Sequence, residues 1–407
     1  MSKVCIEEKE LIPWRRNLLV CVCGSFTTIL AMTLLLPFLP LYVAQLGVVS
    51  HAAIVQWSGV AYGATFFTAA LTAPLWGRLG DRYGRKLMLV RASLGMAIAM
   101  SLLGMAQTVW QLVAIRLLAG LLGGYASGSM QLVAAQTPKS HSGWALGVLS
   151  AGIMAGNLVG PLVGGLLPPL IGIRMTFWLA GGIIFCAFIG TSLCIREPAP
   201  KARQEVLKPQ GGWPLIADKR PVIAMLVTGL LLMVAMMSIE PIITVYVAQL
   251  VRPALVTIVA GVVMSATALG SILSSSRLGR LADRVGHWRI MIICLAVAAL
   301  LLVPQAFVVS GWQLIILRFL MGLALGGLLP CIASVIRHNV PETVLGRVLG
   351  YSVSSQYIGQ VVGPLCGGFV GGHVGMRAVF LGTAGLLAAG ALGNFFVEKK
   401  RRGRKGV

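Results

Sequence analysis

Charge is what this sequence has least of. Lys, Arg, Asp and Glu together fill 11% of the 407 positions, against about 25% in a soluble globular domain. Negative charge is scarcer still, at 11 Asp and Glu residues. That shortage argues against a soluble fold. The eight cysteines show no paired spacing that implies a metal site or a disulfide framework, and Cys21 and Cys23 sit in one apolar run as small hydrophobic residues. No Gly-x-x-x-x-Gly-Lys-Ser/Thr loop occurs, which removes intrinsic ATP drive. All five histidines fall in or near expected loops and one carboxylate lies in an apolar run, so an intramembrane enzyme with clustered catalytic groups is not expected. Glu7, Glu8 and Glu10 before Pro13 do not resemble a cleavable signal peptide, so the first apolar helix is expected to stay in the mature protein.

What the sequence has instead is apolar length. Hydrophobic residues make up 57% of the chain, and its 50 glycines suit membrane helices, where glycine is more frequent than in soluble ones. A bilayer core takes about 20 apolar residues per helix. That ruler predicts twelve spans near 18–46, 53–76, 87–107, 110–136, 143–168, 173–195, 221–250, 255–277, 289–309, 311–336, 344–370 and 375–397. The fold class expected is an all-α membrane protein. Residues 1–17 form an N-terminal segment, 18–195 one half, 196–220 a polar linker holding Gly211 and Gly212, 221–397 a second half, and 398–407 a basic tail.

The net charge of +22 is not a nucleic-acid signal, because no basic face belongs to a soluble element. Of 33 Lys and Arg residues, 28 fall in the terminal segments and alternate loops, three in the opposite loops (Arg174, Arg252, Arg377) and two inside spans (Arg116, Arg318). Basic loops stay in the cytoplasm, so both termini are expected there. The tail from Lys399 to Lys405 is also suited to gripping anionic lipid headgroups.

The two halves repeat each other. Pro37-Phe-Leu-Pro-Leu-Tyr42-Val-Ala-Gln-Leu46 returns as Pro241-Ile-Ile-Thr-Val-Tyr246-Val-Ala-Gln-Leu250. Gly77-Arg-Leu-Gly-Asp81-Arg82 returns as Gly279-Arg-Leu-Ala-Asp283-Arg284, and Trp110, Arg116, Gly120 and Gly124 return as Trp312, Arg318, Gly322 and Gly326. Gly156, Gly160-Pro161 and Gly164-Gly165 return as Gly359, Gly363-Pro364 and Gly367-Gly368. All four pairs are 202–204 residues apart and in one order, a register that chance apolar similarity does not hold.

Two parallel six-helix halves around a linker resemble the major facilitator superfamily. Pro-Phe-Leu-Pro-Leu-Tyr-Val, Gly-Arg-Lys-Leu-Met-Leu and Ser-Gly-Trp-Ala-Leu-Gly resemble its drug:proton antiporter branch with twelve spans, in particular MdtG-type bacterial multidrug efflux proteins. The resemblance implies a multi-pass protein of the bacterial inner membrane that acts as a monomer and needs no cofactor or metal.

Four features carry expectations about mechanism. The run from Gly77 to Lys86 reads as a loop whose glycines allow a tight turn. A basic loop by itself would explain Arg82 and Arg85, but not Asp81 or its return at Asp283 with Arg284. By resemblance, Gly77, Asp81, Arg82, Gly84 and Arg85 form a cytoplasmic gate. His287 and Trp288 replace the basic pair in the second copy, which predicts a weaker latch. Gly147, Gly156, Gly160, Pro161, Gly164 and Gly165 in the fifth span are either generic packing positions or, by resemblance, the signature of exporters. Arg116 is costly near mid-membrane, at about 2.5–3.5 kcal/mol. By resemblance it assists proton transfer; the alternative is a snorkelling or structural cation.

Glu240 is the lone acidic residue within a span, stands before Pro241, and has Leu36 as its repeat partner. Three roles are open to it: a proton carrier, an attractor of cationic substrate, or a protonated acid bonded to a neighbouring backbone or hydroxyl group. The acidic residue that many relatives carry in the first or fourth span is missing here. Tyr62, Phe66, Asn157, Met233, Met237, Tyr351, Gln356 and Tyr357 are the candidates for a substrate cavity, since Met adapts its shape and aromatics give broad contact. The function expected is secondary active export of amphiphilic small molecules by proton antiport with alternating access. The alternatives are a sugar or metabolite exporter and a non-transporting membrane sensor of the same fold.

Overall fold

The computed structural model describes residues 13–138, 140–197, 216 and 218–405. Among the described residues the secondary structure is helical, with no strand. In chain order the helices are α1 (Trp14–Leu34), α2 (Leu39–Gln45), α3 (His51–Tyr83), α4 (Arg85–Leu103), α5 (Val109–Leu122), α6 (Tyr125–Gln136), α7 (Ser142–Ile171) and α8 (Ile173–Cys194). There follow α9 (Lys219–Ile239), α10 (Ile243–Val247), α11 (Val256–Val285), α12 (His287–Gln305), α13 (Gly311–Leu325), α14 (Leu328–Asn339), α15 (Glu342–His373) and α16 (Met376–Lys405).

Helices stand at all twelve expected spans. Among the described residues ten, counting each interrupted helix once, are long and apolar enough to cross a membrane. The other two, α3 and α15, have ample length at 33 and 32 residues. Polar side chains such as Gln56, Ser58 and Thr65 in α3, and Ser352, Ser355 and Gln356 in α15, make them less apolar.

Four spans expected to be continuous are interrupted, and each interruption has a local cause. Pro37 and Pro241 lack the N–H that would bond the preceding turn, so α1 gives way to a short 3-10 turn at Leu36–Phe38, and α9 stops before α10 resumes at Ile243. Glycines interrupt the fourth and tenth spans. Gly124 adopts φ +104°, a left-handed conformation that glycine reaches without a Cβ penalty. By contrast α7 runs unbroken through Pro161, Pro168 and Pro169.

The expected loop from Gly77 to Lys86 is corrected by the structure. Gly77 to Tyr83 complete α3, and α4 starts at Arg85, leaving Gly84 alone between them at φ +98°. The helical hydrogen bonds continue into the polar region as far as the Gly84 N–H, which donates to the Gly80 carbonyl at 3.1 Å, and the Asp81–Arg85 pair then bridges the break. The second copy is built alike, with Gly286 at φ +106° between α11 and α12. The basic residues from Lys399 to Lys405 continue the helix of α16. Most of the N-terminal segment and of the linker 196–220 lies outside the described residues; their described borders, Trp14 and Lys219, start helices.

Contacts divide the chain into two compact units, Met1–Phe38 with Ala64–Gln204 and Leu39–Gly63 with Glu205–Val407. The repeat assigns 39–63 to the first half, whereas packing assigns them to the second unit. The reason is backbone proximity: a Cβ on Gly59 would strike the Pro364 carbonyl, and one on Gly372 would lie 2.7 Å from that of Ala52.

Within the first unit, α1 lies along α7, and Gly152, Gly156, Gly160 and Gly164 face Val22, Phe26, Leu30 and Leu34 so closely that a methyl group at any of them would clash. Within the second unit α9 lies along α15 in the same way, with Gly359, Gly363 and Gly367 against Leu230, Val234 and Ser238. Such small-residue stripes let membrane helices pack backbone to backbone.

Candidate functional site

Two buried arginines mark the interior of the units. Arg116 in α5 is 2% exposed and Arg318 in α13 is 5% exposed. Each stands where a glycine four residues later lets a neighbouring helix approach. Gly120 meets the Thr65 carbonyl of α3, and Gly322 meets the Thr267 carbonyl of α11. Thr65 Oγ1 donates to the Arg116 carbonyl (3.0 Å), and Thr68 Oγ1 to that of Leu117 (2.7 Å). In the second unit Ser271 Oγ donates to the Gly322 carbonyl (3.1 Å).

Glu240 and Arg318 lie within electrostatic reach of each other in the second unit. Glu240 closes α9 where Pro241 interrupts the helix, and among the described residues Arg318 is its electrostatic partner. Glu240 Oε2 and Arg318 Nε are both buried without a hydrogen-bond partner. Their charges offset each other, but the pair keeps unfilled hydrogen-bonding capacity, a state that costs free energy in a dry interior. The sequence gives no hint of this pairing, since the two residues are 78 positions apart. It offers Arg116 no carboxylate within a span of its own half.

At the basic end of the first unit the side chains form one connected set. Arg85 Nη2 lies 3.7 Å from Asp81 Oδ1, and its Nη1 donates to the Gln131 carbonyl of α6 at 2.7 Å. Glu197, counted in the sequence only as a loop residue, caps α4: its carboxylate accepts from the backbone N–H groups of Arg85 (3.1 Å) and Lys86 (2.6 Å). The first N–H groups of a helix have no partner within it and attract negative charge. Asn17 ties α1 in by donating to Gln136 Oε1 (2.6 Å) and the Arg196 carbonyl (2.7 Å). In the second unit Asp283 faces His287 at 3.3 Å, the same one-turn spacing as Asp81 and Arg85. The imidazole of His287 in turn lies 5.8 Å from that of His338, between ring centroids. The second copy therefore retains its pair, with a partner that is charged only when protonated.

Arg91, counted in the sequence with the basic loop, lies within α4. Its guanidinium lies 3.5 Å from the centroid of the Trp76 ring.

The fifth-span residues separate into two kinds. Gly156, Gly160 and Gly164 pack on α1, and Pro161 and Gly165 are buried beside them. Gly147 faces open space, so close packing does not account for it. The expected cavity residues also divide. Met233 and Met237 lie against Gly359 and Gly363, and Gln356 lies against Gly229, which places all three at the α9–α15 packing seam. Tyr62 is buried at 6% exposure and Tyr351 is 46% exposed, while Phe66 and Tyr357 are half-buried. Asn157 is exposed and donates to the Ile153 carbonyl of its own helix (3.2 Å).

Comparison with known proteins bears on what this arrangement serves. Multidrug resistance protein MdtG of Salmonella arizonae is 42% identical over 393 residues, covering 96% of this chain and 97% of the relative. The protein of the same name from Salmonella paratyphi C matches to the same extent. Among solved structures, a bacterial homolog to the human lysosomal transporter Spinster, inward-facing and unoccupied, superposes with a TM-score of 0.76 at 16% identity, covering 95% of this chain and 97% of the other. The POT family transporter PepTSo gives 0.76 at 12% identity, covering 95% and 98%. At such identities the likeness speaks for the fold. The family model described as Major Facilitator Superfamily matches residues 21–257 and 256–406; the chain belongs to the major facilitator superfamily.

Proposed function

We propose that this chain is a secondary active exporter of amphiphilic small molecules, a multidrug efflux protein driven by proton antiport with alternating access. The export reading rests on near full-length similarity to multidrug resistance proteins named MdtG. The coupling reading rests on one observation, the buried Glu240 oxygen without a hydrogen-bond partner beside Arg318. A carboxyl group so placed is a site for one proton, and the guanidinium stabilises the anion left when the proton departs. Each charge moved down the membrane potential supplies about 2.3 kcal/mol per 100 mV. Arg116 assists as the buried cation of the other half, and the Asp81–Arg85 pair with Arg82, and its counterpart Asp283–His287 with Arg284, serve the gate. The location proposed is the bacterial inner membrane with both termini cytoplasmic, the chain acting as a monomer.

The test is purified protein in liposomes with an imposed pH gradient and ethidium as the probe. Ethidium movement should follow the gradient and lose that dependence in Glu240→Gln. Movement that persists unchanged after the gradient is collapsed overturns the coupling.

A further inference from the structure

The fourth span is broken more sharply than its counterpart in the tenth. Gly123 is extended (φ −66°, ψ −167°) and Gly124 left-handed (φ +104°, ψ 15°). In the tenth span Gly326 stays helical (φ −60°, ψ −23°) and its N–H still bonds the Gly322 carbonyl at 3.1 Å. A sharp break in a membrane helix strands carbonyl groups that lipid cannot satisfy. Here side chains reach them. Trp76 Nε1 donates to the Leu121 carbonyl (2.8 Å), Arg91 Nη2 to that of Gly123 (2.9 Å), and Arg91 Nη1 more weakly to that of Leu121 (3.5 Å). The stacking of Arg91 on Trp76 orients both donors at once. At the repeat positions 202 residues on stand Leu278 and Ile293, which donate nothing. The gap at Gly327 is met instead by the Leu278 side chain, 2.7 Å from where a Cβ would stand.

We infer that Trp76 and Arg91 are positioning residues of the transport cycle, holding the fourth span broken by capping the carbonyl end of α5, so that α6 need not continue the line of α5. The inference rests on the transport reading above and adds a part to it. Trp76 and Arg91 cap the last carbonyls of α5, at Leu121 and Gly123, while α6 is tied to the junction at Gln131 by Arg85, whose guanidinium also pairs with Asp81. With the end of α5 capped and the two glycines out of helical line, α6 turns independently of α5 and follows the start of α4 through Arg85.

The experiment installs the second half's residues in the first, as Trp76→Leu with Arg91→Ile. Spin labels are placed at Ala114 and Ala135, both exposed, in the full chain with its eight native cysteines replaced. An uninterrupted helix would separate those positions by about 32 Å. The unsubstituted chain should show a shorter distance, and the double variant a shift toward that value. Ethidium turnover in liposomes should fall about tenfold with the shift, as expected when an element that gates a cycle is freed. Arg91→Lys should not rescue it, because an ammonium group lacks the planar fork that stacks and donates twice. If the double variant does not yield folded protein, Trp76→Phe keeps the ring beneath the guanidinium and removes only the N–H. It should then give a partial shift and a partial loss.

Wild-type distances and turnover in a folded variant overturn the inference, and so does reduced protein yield with an unshifted distance. The distance does not depend on any substrate, so failure of the transport reading alone would leave it intact.

Discussion

Arg116 and Arg318 hold equivalent places in the two halves, yet their surroundings differ in kind. Both are buried, and both precede a glycine on which the next helix packs. Arg318 has Glu240 within electrostatic reach, whereas the sequence gives Arg116 no carboxylate within the spans of its half. The same division of labour recurs at the basic ends. The first half pairs Asp81 with a permanently charged Arg85, and the second pairs Asp283 with His287. Duplication has left the packing skeleton nearly unchanged and altered the charges on it. Titratable partners have gathered in the second half, while fixed cations and carbonyl caps have gathered in the first.

The largest effect that would test this contrast is at Arg318. Arg318→Gln leaves Glu240 buried without its counter-charge, and removal of one member of a buried pair costs about 3–5 kcal/mol. Thermal unfolding of the detergent-solubilised protein should show that loss and its substantial recovery in Glu240→Gln/Arg318→Gln. Arg116→Gln should gain nothing from the same Glu240 change; recovery there would dissolve the distinction between the halves.

Next in size are the glycine stripes, where the halves should behave alike. Gly164→Val and Gly367→Val each drive a side chain into a carbonyl, of Leu34 and Ser238 respectively. Each should cost about 1–3 kcal/mol or more by overpacking, read from the same unfolding curves.

A smaller effect belongs to the first half. Glu197→Ala removes the carboxylate that caps α4 and should cost about 1 kcal/mol, visible as faster amide exchange at Arg85 and Lys86. Smallest is His287→Arg. A guanidinium there would pair with Asp283 as Arg85 pairs with Asp81, and should add a few tenths of a kcal/mol, read as a small rise in unfolding temperature.

Much of this was legible in the residues themselves. Apolar length and the repeat register announce the helices, because a bilayer imposes its thickness on sequence directly. Pro241 announces the interruption at Glu240, since a missing N–H is a local fact. The pairing of Glu240 with Arg318 was not legible, because helix packing alone joins residues so far apart in the chain. Arg91 was hidden by its own type: a basic residue near a basic loop reads as one more topogenic charge, and Trp76 must fold against it before its second role exists. Glu197 was hidden likewise, since a cap depends on where another helix begins. The glycines of the Gly77–Lys86 run suggested a loop, yet Gly84 alone leaves helical geometry, because the backbone hydrogen bonds of α3 run on until the Gly84 N–H bonds the Gly80 carbonyl.

That short connection has a mechanical consequence. Between α3 and α4 stands Gly84, and between α11 and α12 stands Gly286, each a joint one residue long at positive φ. Consecutive Cα atoms are about 3.8 Å apart, so such a joint has almost no slack. It can swivel, but it cannot let one helix slide along the other. A tilt applied to the end of α3 is delivered to α4 as torque, undiminished by a yielding tether. Each hairpin is a crank, and its pivot accepts no side chain.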